Sequence, residues 1–340
     1  MPDRELENVA RSLVAPGKGI LAADESAPTI EKRFKSVGVA STEENRRAYR
    51  ELLFTTPAIE EFISGVILFD ETIRQKTRHG LPFPKLLERR GIIPGIKVDL
   101  GAKPLAGFPG EKITEGLDGL RERLAEYRSL GARFAKWRAV ISIGDGIPTM
   151  ACLKANAHAL ARYAALCQGG GLIPIVEPEV LMDGPHTIER CGEATAATLA
   201  MLFIELAEHH VSLEAILLKP NMVLSGKECP VQAGAKEVAL ATASWLRPHV
   251  PPPVPGIVFL SGGQSPEAAT EHLSLMNTLG NHPWELSFSF GRALQDPVLS
   301  AWKGDPANAA KAQRAFLHRA RCNGEARYGR YTRDMEKSAA

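Results

Sequence analysis

Eight short apolar runs punctuate the chain, at residues 19–23, 65–69, 94–98, 132–137, 172–176, 215–218, 256–260 and 285–290. Each is short for a helix and apolar throughout, so each reads as a strand covered on both faces. Helical punctuation lies between them. Ser41-Thr42-Glu43-Glu44 opens one stretch, and residues 115–130 repeat apolar side chains at Leu117, Leu120, Leu124 and Tyr127. The Ala-rich stretch 150–167 closes on Gly169-Gly170-Gly171, and residues 187–210 follow. Ser265-Pro266-Glu267 sets a cap, a first-turn proline and an early acid ahead of another helix. Strand and helix alternating in this way predict a parallel sheet. Eight units without a reversal predict a closed (β/α)8 TIM barrel. The expected organisation is one domain over 1–340, with a short mobile tail from about residue 325. An open doubly wound sheet competes, but no Gly-x-Gly-x-x-Gly follows the first run. The proline-rich 251–255 reads as a stiff entry into the seventh strand rather than a linker.

Where the runs stop, charge begins. The first ends at Asp24-Glu25-Ser26, the second at Asp70-Glu71, and the third carries Lys97 and Asp99. The fourth carries Lys136 and Arg138, the fifth Glu177 and Glu179, and the sixth Lys219 followed by Pro220. The seventh ends at Ser261-Gly262-Gly263 and the eighth at Gly291-Arg292. In a barrel these ends share one mouth, the face on which this fold places its active sites. Period-two alternation puts Lys97 with Asp99, Lys136 with Arg138, and Glu177 with Glu179 on shared faces.

The residues at the mouth divide into two chemistries. Lys219 follows directly on buried apolar side chains, a position suited to a neutral amine that forms an imine with a carbonyl. Lys136 is expected to act as a nearby cation, while Glu177, Glu179 and Asp24 supply carboxylates for the proton transfers of carbon–carbon scission. The other group suits phosphate. Ser261-Gly262-Gly263-Gln264-Ser265 is a glycine-rich turn ahead of a helix, and Gly291-Arg292 follows the eighth strand, where barrels often bind phosphate. Ser26, Thr29, Arg33 and Lys97 could form a second anion site on the opposite rim. Two phosphate sites flanking an imine lysine describe a bisphosphorylated keto sugar.

Composition narrows the remaining classes. The chain has 340 residues, 44% hydrophobic and 24% charged, with net charge +2, and no basic block points to nucleic acid or a membrane surface. No apolar run reaches transmembrane length, and the charged N-terminus is unlike a signal peptide. Five cysteines with no Cys-x-x-Cys spacing indicate neither a disulfide framework nor zinc fingers, so a reducing cytoplasm is expected. The nine histidines form no His-x-x-x-His pair and stand at none of the strand ends, which argues against zinc-dependent chemistry at the mouth. His209 and His210 read as helix-end or surface residues.

Residues 17–26 (GKGILAADES), 42–47 (TEENRR), 65–69 (GVILF), 95–99 (GIKVD), 134–138 (FAKWR), 175–179 (IVEPE), 217–223 (LLKPNMV), 259–265 (FLSGGQS) and 291–294 (GRAL) together resemble class I, Schiff-base-forming fructose-bisphosphate aldolases. The likeness runs in order from about residue 5 to about residue 330. It implies that Lys219 forms the imine and that Glu177 is the general acid/base. Lys136 and Glu179 would be electrostatic partners, and Asp24 would orient or deprotonate the C4 hydroxyl. Ser261, Gly262, Gly291 and Arg292 would hold the C1 phosphate. Ser26, Thr29, Arg33 and Lys97 would face the C6 phosphate, with Arg138 a further contact. Such enzymes need no metal or organic cofactor. The resemblance also implies a cytoplasmic homotetramer working on sugar phosphates in glycolysis and gluconeogenesis.

Three departures stand out. Many relatives end in a tyrosine that assists proton transfer, whereas the last tyrosines here are Tyr328 and Tyr331. Thr29 stands where relatives often carry serine, and Asp70 replaces a common histidine. Another phosphorylated ketose, such as sedoheptulose 1,7-bisphosphate, would need nearly the same site. A non-catalytic scaffold role could coexist with catalysis.

Overall fold

The computed structural model describes residues 4–339. Eight strands close a parallel barrel: β1 (Gly19–Ala23), β2 (Ile63–Leu68), β3 (Ile93–Lys97), β4 (Phe134–Ile141), β5 (Ile173–Val180), β6 (Leu217–Leu218), β7 (Gly256–Phe259) and β8 (Glu285–Phe290). Each strand pairs with its neighbours in chain order and β8 closes on β1, as in a (β/α)8 barrel.

The apolar runs located all eight strands but not all their ends. β4 and β5 run eight residues each, to Ile141 and Val180, well beyond the runs that predicted them. Their charged residues therefore stand within the ladder rather than after it. Leu213–Ala215 forms a 3-10 turn, so only Leu217–Leu218 of the sixth run is strand. Pairing still continues past it. Lys219 N–H donates to Val176 O at 2.8 Å, and Leu260 N–H donates to Pro220 O at 3.1 Å. A small antiparallel hairpin, Ala102–Pro104 with Lys112–Thr114, had no signal in the apolar pattern.

Helix starts follow their caps. Thr42, Thr149, Thr187 and Ser265 each accept a backbone N–H at the head of Glu43–Phe54, Met150–Gly169, Ile188–Glu208 and Pro266–Thr278 respectively. Among the described residues, no helix is long and apolar enough to cross a membrane. Asp70, one of the departures from relatives, heads the short helix Asp70–Arg74, where it accepts from Tyr127 Oη at 2.9 Å and pairs with Arg74.

The helix Arg4–Leu13 closes the end of the barrel opposite the mouth. Its Leu6, Ala10 and Leu13 pack in one cluster with the inward-facing Ile67, Phe134 and Leu217. Close approach needs glycine at two strand positions. A β-carbon at Gly65 would lie 2.6 Å from Leu13 Cδ2, and one at Gly256 would lie 2.6 Å from Val14 Cγ1. Fully buried, Leu13 contributes about 2 kcal/mol by removal of its side chain from water.

Beyond the helix Ala309–Ala326 the chain turns back along the outside of the barrel. Glu336 receives hydrogen bonds from Arg319, from Tyr331 Oη at 2.7 Å and from His318 Nε2 at 2.9 Å.

Candidate active site

The mouth gathers charges that the sequence scatters over almost two hundred residues. Parallel register sets their levels. Lys97 on β3 is level with Lys136 on β4, and Leu218 is level with Val176, so Lys219 comes beside Glu177. Two lysines side by side on adjacent strands repel unless anions divide them. Asp99 Oδ1 lies 2.6 Å from Lys97 Nζ, and its Oδ2 lies 3.8 Å from Lys136 Nζ. Asp24, at the end of β1, reaches across to Lys136 Nζ at 2.8 Å.

Glu177 stands between the remaining pair. Its Oε1 is 3.1 Å from Lys219 Nζ and its Oε2 is 3.2 Å from Lys136 Nζ. Lys136, expected as a cation near Lys219, is thus linked to it through a carboxylate. All of these side chains are buried or nearly so, with Lys219 only 4% exposed. Glu177 Oε2 is buried, and the approach of the Lys136 ammonium at 3.2 Å is an ion pair rather than a well-aligned hydrogen bond.

Electrostatics fixes two protonation states. Burial alone would raise the Asp24 carboxyl, but Lys136, Lys219 and Lys97 outweigh it and hold it well below the usual carboxylate range. Burial would likewise strip Lys136 of its proton, yet Asp24, Glu177 and Asp99 hold it well above an ordinary lysine. Asp24 is accordingly a carboxylate and Lys136 an ammonium throughout the physiological range.

Glu179 lies one pleat further along β5 and is ion-paired with Arg138. Among the described residues it makes no ion pair with Lys136 or Lys219, so the structure sets it apart from the lysine cluster. Arg138 is part exposed, its side chain 42% accessible, and it faces the opening.

The two expected anion sites are placed differently from one another. At the ends of β7 and β8, Gln264 N–H donates to Ser261 O at 2.9 Å, closing a turn in which Gly262 (φ 57°) and Gly263 (φ 88°) are both left-handed. The Arg292 guanidinium lies against this turn, 3.0 Å from where a β-carbon of Gly263 would be. Among the described residues, Arg292 enters no ion pair, unlike Arg33, Lys97, Arg138 and Lys136.

Ser26 stands at the N-cap position of the helix Ala27–Lys35 without a side-chain capping bond, its Oγ instead 3.1 Å from Thr29 Oγ1. Arg33 does not lean toward Lys97. It pairs with Glu25 and points to β8, with Nη2 3.8 Å from where a β-carbon of Gly291 would be. Helical geometry explains this: Arg33 is seven residues on from Ser26, two turns down the same face.

Two features were not legible as site residues. Asp99 was visible only as a companion of Lys97, with no sign that it also serves Lys136. Glu25 is held by Arg33 and Arg50 and accepts from Gln295 Nε2 at 2.7 Å. Arg50 and Gln295 lie in separate helices 245 residues apart, and no spacing in the sequence could have joined them.

The whole constellation can form and protonate an imine beside a carboxylate proton carrier, with anion-binding groups on the rim. The comparisons agree. A family model for class-I fructose-bisphosphate aldolase, described as glycolytic, matches residues 5–340. A probable fructose-bisphosphate aldolase class 1 of Xanthomonas campestris is 60% identical over 332 residues, covering 97% of this chain and 99% of its own. Fructose-bisphosphate aldolase C of Rattus norvegicus is 50% identical, covering 99% of this chain and 93% of its own. The fructose-bisphosphate aldolase of Plasmodium falciparum, solved in a ternary complex with TRAP and a small-molecule inhibitor, superposes with a TM-score of 0.95 at 51% identity, over 97% of this chain and 95% of that one. This chain therefore belongs to the class-I fructose-bisphosphate aldolase family of lyases.

Proposed function

We propose that the protein catalyses the reversible aldol cleavage of fructose 1,6-bisphosphate to dihydroxyacetone phosphate and glyceraldehyde 3-phosphate, through an imine on Lys219. The observation that carries this reading is the buried Lys219 amine 3.1 Å from Glu177, whose other oxygen lies 3.2 Å from the Lys136 ammonium.

The Lys219 ammonium passes a proton to Glu177, and the neutral amine so formed adds to the C2 carbonyl to give a carbinolamine. Glu177 passes a proton to the carbinolamine hydroxyl, water departs, and an iminium remains. Glu177, again a carboxylate, takes the C4 hydroxyl proton as the C3–C4 bond breaks. The bonding pair flows into the iminium to form an enamine, and the aldehyde leaves. Protonation at C3 and hydrolysis of the iminium release dihydroxyacetone phosphate and restore the amine. Asp24 is too acidic to serve as an effective base, so its part is to accept a hydrogen bond from the C4 hydroxyl and hold Lys136 in place. Lys136 in turn fixes Glu177. No step calls on a metal or organic cofactor.

Ser261, Gly262, Gly291 and Arg292 receive the C1 phosphate, an assignment supported by Arg292 making no direct ion pair among the described residues, with only a longer-range attraction to Asp296. Ser26, Thr29 and Lys97 face the C6 phosphate, with Arg33 at the β8 side of that group and Arg138, steadied by Glu179, as a further contact. Family likeness supports a single-domain chain assembling as a cytoplasmic homotetramer, with a place in glycolysis and gluconeogenesis. Sedimentation velocity would test the assembly.

The test of the reaction is mass spectrometry after borohydride reduction, with fructose 1,6-bisphosphate and EDTA present. One sugar-phosphate adduct on Lys219 is expected. Cleavage of the sugar without an adduct would refute the imine assignment.

A further inference from the structure

Away from the mouth, His158, Glu205 and His209 converge between two outer helices. His158 lies on Met150–Gly169, Glu205 in the last turn of Ile188–Glu208, and His209 is the residue that ends that helix. After His209 the chain runs through Leu213–Ala215 into the start of β6, so Glu205 and His209 sit toward the end of the barrel opposite the catalytic lysine.

The geometry is that of a small ligand set. Glu205 Oε2 lies 3.0 Å from His158 Nδ1 and 3.7 Å from His209 Nδ1, and the two imidazole rings meet edge to face at 4.9 Å. One ligand atom from each residue lies within 4.8 Å of the other two. Tetrahedral bonds of about 2.0–2.2 Å place ligand atoms about 3.4 Å apart, so a shift of about 1.5 Å at most closes the set on a single ion. The side chain that must move most freely can do so: His158 is 50% exposed, against 15% for Glu205. His209 Nδ1 donates to Glu205 O at 2.9 Å, which anchors the ring and leaves Nε2 as its ligand atom.

Charge favours a cation at this position. One carboxylate is shared between two imidazoles, the commonest metal-binding side chain. The cluster also lies at a helix C-terminus, the negative end of the dipole. A second group, His318, Cys322 and Glu336, can also converge on one point. There the Arg319 guanidinium already holds Glu336, so a cation would meet a cation.

We propose that His158, Glu205 and His209 form a surface site for one divalent transition-metal ion of the zinc type, with water completing its coordination, that ties the two outer helices together. Imidazole with one carboxylate suits zinc, cobalt or nickel rather than magnesium or calcium. The site lies apart from the imine chemistry, which proceeds without metal.

The experiment uses the full chain, stripped with EDTA, and calorimetric titration with zinc chloride. One ion per chain is expected. Affinity should fall at least about tenfold in His158→Asn and in Glu205→Gln, and stay unchanged in His318→Asn. Zinc should raise the melting temperature of the wild type but not of the first two variants, whose metal-free melting temperatures report that they fold. Absence of binding by the wild type, or binding that persists in the His158→Asn, Glu205→Gln double variant, would overturn the proposal.

Discussion

Asp99 holds Lys97 twice, with Oδ1 2.6 Å from Nζ and its own backbone oxygen accepting from the same amine at 2.7 Å. The same carboxylate accepts backbone N–H groups from Gly101 at 3.2 Å and Arg138 at 3.3 Å. One side chain thus fixes the level of two register-paired lysines and the turn that follows. Asp99→Asn should lower kcat/KM by about tenfold, mainly through KM, and reduce stability by about 3 kcal/mol because buried ammonium charge loses its partner. Steady-state kinetics and denaturant unfolding check this. Wild-type values in both would show that Asp99 is dispensable.

In the proposed mechanism Glu177 and Lys219 act in sequence on the same protons. Glu177→Gln should lower kcat by about 10²–10⁴ with KM little changed, and should slow trapping of the reduced imine in parallel. Lys219→Met should abolish trapping altogether. An imine forming at the wild-type rate in the Gln variant would assign the proton transfers to another group.

Gly263 is permissive in two senses, left-handed at φ 88° and bare where Arg292 approaches to 3.0 Å. Gly263→Ala should displace the guanidinium, raising KM for the bisphosphate more than it lowers kcat. If kcat falls and KM does not, the turn serves chemistry rather than phosphate.

Glu336 reports on the C-terminal segment. Burial would raise its carboxyl, but hydrogen bonds from Arg319, His318 and Tyr331 outweigh this and lower it from 4.5 to about 2. A depressed carboxylate contributes stability that is whole above pH 4.5 and is lost as pH falls toward 2. Glu336→Gln should therefore cost about 1–2 kcal/mol at pH 7 after discounting for its partial exposure, and progressively less below pH 4.5. Turnover should be nearly unchanged, as it should when residues 332–340 are removed. Thermal melts across pH, with parallel assays, decide it; a large loss of activity would tie this segment to catalysis.

Much of this was legible because the barrel writes itself in short apolar runs, and charge placed after an apolar run has few places to go except the mouth. The failures have a common cause. Lys136, Arg138, Glu177 and Glu179 look like strand ends, yet they point inward from strands that continue to Ile141 and Val180. Period and polarity cannot distinguish a strand that stops from one whose inner face turns polar. Arg33 was assigned by its helix turn, but its direction depends on Glu25, and Glu25 depends on Arg50 and Gln295, which only folding brings near.

Lys97, Lys136 and Lys219 contact Asp24, Asp99 and Glu177, three ammonium groups against three carboxylates. Formal charge within this kernel is zero, and the proposed conversion of the Lys219 ammonium to an iminium leaves it zero. Ionic strength therefore has little purchase on the bond-breaking step, since screening acts on exposed charges over about 8–10 Å at physiological salt. In the proposed reaction, attraction of a substrate carrying two phosphates falls instead to Arg292 at the rim, which makes no direct ion pair among the described residues. Salt should raise KM while leaving kcat flat, so the enzyme's sensitivity to its ionic surroundings is set by how it gathers substrate and not by how it cuts it.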